Sequence, residues 1–105
     1  MGDNVLERLN QTIRSRREAD ADTSYTRQLL DDGIERCAKK FGEEATETLI
    51  AALAQDETAL TKEAADLLYH LLVLLESRGV PLADVMAELE VRMGQSGLAE
   101  KAGRD

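Results

Sequence analysis

The acidic side chains in the middle of this chain are mirrored about a single point, and that symmetry constrains the fold more than any other feature. Glu43, Glu44 and Glu47 stand on one side, and Glu63 and Asp66 on the other. The midpoint of 44 and 66 is 55, and so is the midpoint of 47 and 63. Apolar residues recur at helical spacing on both sides: Ile34, Cys37, Ala38, Phe41, Ala45, Leu49, Ala52 and Leu53 before the midpoint, and the run Leu67 to Leu75 after it. Two long helices are therefore expected. Gln55-Asp56-Glu57-Thr58 between them is polar and rich in N-cap formers, so the chain reverses there. Residues three or four apart share a helix face. An antiparallel hairpin centred on Gln55 then sets Glu44 against Asp66 and Glu47 against Glu63.

The remainder of the chain reads as shorter helices around that hairpin. Val5, Leu6, Leu9 and Ile13 predict an amphipathic helix over about Asn4 to Arg17. Glu18 to Ser24 collects turn and cap formers and reads as a loop or mobile arm. Leu29 and Leu30 belong to a short helical piece that starts near Tyr25 and is interrupted by Gly33. Gly79 is placed to end the second long helix, and Pro81 suits the first turn of a last one with Leu82, Val85, Met86, Leu89 and Met93 inward. No strand alternation, repeat or low-complexity run is visible. The expected fold class is all-α, a bundle of four to five helices with one domain over residues 1–94 and a flexible tail over 95–105.

Charge narrows the function. With 21 acidic and 13 basic residues the formal net charge is −8, which excludes a phosphate-tracking nucleic-acid binder. Cys37 is the only cysteine and cannot form an internal disulfide; it falls on the apolar stripe with Ile34 and Phe41 and reads as a core thiol. No secretory signal is visible at the N-terminus, and the apolar run is too short to cross a bilayer, so no membrane association and a cytoplasmic location are expected. Leu68, Leu71, Leu72, Val73, Leu74 and Leu75 span more than one stripe of their helix, which predicts burial on several sides and completion of the bundle by dimerisation.

Four facing carboxylates repel one another unless a cation compensates them, and Asp66 adjoins the apolar run. All-oxygen ligation favours Mg²⁺, with Mn²⁺ possible, over zinc. A di-iron site built on Glu-x-x-His does not fit, because His70 follows Asp66 by four residues and Glu63 by seven. An acidic protein that displays such an ion suits a polyphosphate substrate. Lys39 and Lys40, one turn before the acids, are candidate phosphate contacts, with Arg36 a weaker one. His70 suits either packing or a substrate contact. Tyr25 and Ser24 are candidate nucleotide contacts, although Ser24 equally suits capping the helix that follows it.

Ser24-Tyr25-Thr26, Lys39 to Glu47 (Lys-Lys-Phe-Gly-Glu-Glu-Ala-Thr-Glu) and Glu63 to Leu75 (Glu-Ala-Ala-Asp-Leu-Leu-Tyr-His-Leu-Leu-Val-Leu-Leu) together resemble the phosphoribosyl-ATP pyrophosphohydrolases of histidine biosynthesis. The similarity runs from about Asn4 to Arg92. The Glu-Glu-x-x-Glu and Glu-x-x-Asp elements alone resemble the wider all-α nucleoside triphosphate pyrophosphohydrolase superfamily that includes MazG and the dimeric dUTPases. The resemblance implies Mg²⁺-dependent conversion of phosphoribosyl-ATP to phosphoribosyl-AMP and pyrophosphate by a cytoplasmic homodimer, in the form not fused to a cyclohydrolase. It makes Glu44, Glu47, Glu63 and Asp66 metal ligands, places Glu44 in the catalytic centre with Glu43 as a further ligand or water-orienting base, and turns Lys40 toward phosphate. A hydrolase for dUTP or another nucleotide, and a non-catalytic acidic adaptor, are the alternatives.

Overall fold

The computed structural model describes residues 4–94, and within them the chain is a series of helices joined by turns, the longest over residues 19–24 where the loop was expected. It forms α1 (Val5–Ser15), a 3₁₀ turn (Arg16–Glu18), α2 (Tyr25–Asp32), α3 (Ile34–Ala54), α4 (Glu57–Ser77) and α5 (Leu82–Met93). The expected tail over 95–105 lies outside the described residues.

Short polar side chains and glycines set nearly every boundary. Asn4 Oδ1 accepts from the backbone N–H groups of Leu6 and Glu7, Ser24 Oγ from Arg27, and Asp56 Oδ1 from Ala59. Gly33 alone separates α2 from α3, at φ 98°, a conformation that favours glycine. Gly79, at φ 71°, closes α4 in a Schellman arrangement: its N–H donates to the Glu76 carbonyl, and the Val80 N–H reaches back to Leu75 at 2.9 Å. Pro81 caps α5 from outside, so that helix begins one residue later than the proline's place in the sequence suggested.

The two 21-residue helices α3 and α4 pack along each other as the predicted hairpin. The core gathers at the open end of that hairpin. Ile13 of α1, Leu29 of α2, Cys37 of α3, Leu72 and Val73 of α4 and Leu82 of α5 are buried together, with Leu6, Leu9, Leu30, Tyr69, Leu74, Leu75, Val85 and Met86 packed around them. Cys37 is a core thiol as expected, its Sγ donating to the Leu29 carbonyl at 3.3 Å. Arg17 fastens the end of α1 to α4 through the Glu76 carboxylate and the Glu76 carbonyl.

Burial departs from the sequence reading at several positions, Ile34 (46% exposed) and Leu68 (43%) among them. Leu89 and Met93, expected on the inner face of α5, are exposed, Met93 at 77%. The first half of α5 meets the core, through Leu82, Val85 and Met86, while residues 87–94 are exposed. At the turn end of the hairpin Leu49 and Leu53 are likewise exposed, at 63% and 86%. They belong to the apolar pattern of α3, but the described chain provides only α4 as a partner there, and one helix covers one face. No helix among the described residues is long and apolar enough to cross a membrane.

Candidate active site

Hairpin pairing carries the acids into contact. One carboxylate oxygen from each of Glu44 on α3 and Glu63 and Asp66 on α4 lies within 4.8 Å of the others. Thr48 fixes the offset of the two helices at this level: its hydroxyl lies 2.8 Å from the Glu44 carbonyl in its own helix and 3.2 Å from the Glu63 carbonyl opposite. A shift of α4 by one residue would break the latter contact and rotate Glu63 away.

The electrostatic state of this trio is unfavourable without a counter-charge. Glu44 Oε1 and Glu63 Oε1 are buried and have no hydrogen-bond partner. Burial, followed by the charges of Glu47 and Asp66, pushes the Glu44 carboxyl above its usual range. Burial, followed by Glu47 and Glu44, does the same to Glu63. Glu47 lies outside the trio of meeting oxygens, yet it is the strongest neighbouring charge on both half-buried acids. Buried, unpartnered anionic oxygens are rare because desolvation penalises them. The donor set fits a hard divalent ion: ligands at about 2.0–2.6 Å from one centre stand at most about 4–5 Å apart, which is the spacing found.

Glu43 does not join the cluster. Its carboxylate pairs with the Lys40 ammonium at 3.2 Å, one helical turn back on the same helix. That hydrogen bond is the main reason the Glu43 carboxyl sits below its usual range and the Lys40 ammonium above its own. Lys39 is exposed, and both its charge and that of Arg36 reach Glu43. Lys40 thus stands at the border of the acids, while Lys39 and Arg36 lie farther out.

Beside Lys40 lies an aromatic group. Ser24 spends its hydroxyl on capping α2 and thereby sets Tyr25 as the first helical residue. The Tyr25 ring meets His70 of α4 at 6.2 Å between centroids and 86° between planes, and His70 meets Tyr69 at 4.9 Å and 79°. Tyr69 in turn hydrogen-bonds Thr26 through its hydroxyl. His70 is only 6% exposed, and its Nδ1 has no partner. Burial first, and the Lys40 charge second, lower its pKa.

Sequence reasoning missed Thr48 and the Thr26–Tyr69 link. Thr48 was findable: 48 and 63 mirror about 55.5, half a residue from the centre of the acids. The Thr26–Tyr69 link leaves no such trace, because α2 belongs to no hairpin with α4.

Against known proteins, the family model for phosphoribosyl-ATP pyrophosphohydrolase matches residues 6–93. The chain is 60% identical to a phosphoribosyl-ATP pyrophosphatase of Cereibacter sphaeroides over 95% of this chain and 97% of that protein. A protein of the same name from Dinoroseobacter shibae is 58% identical over 95% of this chain and 98% of its own length, and one from Agrobacterium fabrum 57% over 94% and 92%. The matched span takes in both helices that bear the acids and every helix packed around them, so the chain belongs to the phosphoribosyl-ATP pyrophosphohydrolase family of enzymes.

Proposed function

We propose that this chain hydrolyses the α–β phosphoanhydride of phosphoribosyl-ATP, giving phosphoribosyl-AMP and pyrophosphate, as the second step of histidine biosynthesis in the cytoplasm. The observation that carries this reading is the meeting of Glu44, Glu63 and Asp66 with two buried oxygens left unpartnered. Together with Glu47 these residues would hold Mg²⁺, or Mn²⁺ in its place. When bound, the ion supplies Lewis acidity and offsets the charge of the polyphosphate. Lys40, held in place by Glu43, presents a cation at the edge of the acids where the phosphate chain must pass. Lys39 adds positive potential farther out. Glu43, whose carboxyl Lys40 holds below its usual range, pairs away from the cluster and suits orienting a water at its margin.

The same reading makes the working unit a homodimer. Leu49, Ile50 and Leu53 on the bare end of α3, with Leu68 on α4, are too apolar to be left in water, and a second copy of the hairpin would cover them. Purified protein incubated with phosphoribosyl-ATP should release pyrophosphate with Mg²⁺ and none with excess chelator. Turnover that survives chelation, or a substrate panel in which dUTP is preferred, would refute the assignment.

A further inference from the structure

The chain contains three aromatic residues of the Phe, Tyr and Trp class: Tyr25, Phe41 and Tyr69. Phe41 is half-buried, and Tyr69 is half-buried with its hydroxyl committed to Thr26. Tyr25 is 48% exposed, although a large ring at the start of a helix could have been folded inward. It is nonetheless held in orientation. His70 packs at right angles to it, and His70 is itself clamped at right angles by Tyr69. Whichever ring of the first pair presents its edge, at least one face of Tyr25 stays uncovered by His70. Position adds to this. Lys40, paired with Glu43 at 3.2 Å, lies near enough to Tyr25 and to Glu44 to feel both. His70 lies one helical turn beyond Asp66. The surface therefore gathers an aromatic ring, an ammonium and carboxylates side by side, the groups that the base, phosphates and metal of a nucleotide polyphosphate need.

We propose that Tyr25, oriented by the buried His70, is the surface on which the purine of the substrate stacks. The proposal rests on the reading of the acids as the seat of the phosphates, and it assigns the base-reading end of that site. His70 is a positioning residue, since it fixes the plane of Tyr25. A purine has an open π-face, and an exposed tyrosine ring is suited to stack on it.

Removing the ring should weaken nucleotide binding and spare the phosphates. Tyr25→Ala should raise KM for phosphoribosyl-ATP about tenfold or more, the scale of one lost base–aromatic stack, with kcat changed far less. Tyr25→Phe should restore most of the loss. Inhibition by inorganic tripolyphosphate, which has phosphates and no base, should be unaltered in Tyr25→Ala. His70→Ala should raise KM in the same sense, and His70→Phe, which keeps a flat ring against Tyr25, should recover part of it. An unchanged KM in Tyr25→Ala, or an equal loss of tripolyphosphate affinity, would overturn the proposal. A second readout does not depend on turnover. The chain has no tryptophan, so Tyr69→Phe leaves Tyr25 as the sole emitter, and phosphoribosyl-AMP, with binding followed by calorimetry, should quench it. Absence of binding to the wild type, or binding without quenching, overturns the inference. Quenching in a protein that releases no pyrophosphate would refute the hydrolysis and leave the base site standing.

Discussion

At the scale of single residues, the acids of the hairpin are opposed in what they do for stability and for chemistry. Asp66→Asn and Glu47→Gln should each lower pyrophosphate release by more than the roughly 10–100-fold that loss of a supporting metal-site residue costs, with helix content retained. Circular dichroism and a pyrophosphate assay measure the two together. Glu44 offers a test whose sign is set by its environment. Its folded-state pKa is raised from the ordinary value of 4.5. A carboxyl so shifted contributes stability that is full below its ordinary value and is lost as pH rises through the raised one. In chelator, Glu44→Gln should therefore melt at a higher temperature than wild type near neutral pH, and this advantage should shrink as pH falls toward the ordinary carboxylate range. With Mg²⁺ at neutral pH the order should reverse, because only the wild type gains binding energy from the ion. Thermal melts at several pH values, with chelator and with Mg²⁺, check all of these outcomes.

At the scale of elements, the hairpin turn carries the site, since two residues, Gln55 and Asp56, separate α3 from α4. Asp56 caps α4 through its bond to the Ala59 N–H at 2.9 Å. Asp56→Ala should cost about 1 kcal/mol, a fall of several degrees in melting temperature for a domain of this size, without abolishing activity, because Thr48 still ties Glu44 and Glu63 at the level of the acids. The caps also explain why the helix boundaries were legible beforehand. Asn4, Ser24, Gly33, Asp56 and Gly79 each act on a few neighbouring backbone groups, and their identity alone signals an end. The phase of each helix is equally local. What a helix meets is not, which is why Leu89 and Met93 were placed inward from periodicity and found exposed.

At the scale of the whole molecule, the core sits at one end and the other end of the hairpin is bare. The described chain measures 49 × 34 × 33 Å along its principal axes, an elongated body for its size. Light scattering at micromolar concentration should give a dimer. Leu53→Asp should convert it to a monomer while changing the intrinsic stability of the subunit little, because Leu53 is 86% exposed within one chain. A wild type that is monomeric at that concentration would remove the second copy from the proposal.

Spacing and local chemistry determined by themselves that the chain is all-α, where its helices begin and end, and that acids on two of them would confront each other across a turn at residue 55. Those follow from the helix period and from side chains that bond their own backbone, both of which operate within a few residues. Tertiary structure decided which acids meet, placed Thr48 between the helices, and set Tyr25, His70 and Tyr69 edge to face in series. Each of those depends on the rotation and offset of one helix against another. Packing of the whole core sets these quantities, and no short window of residues encodes them.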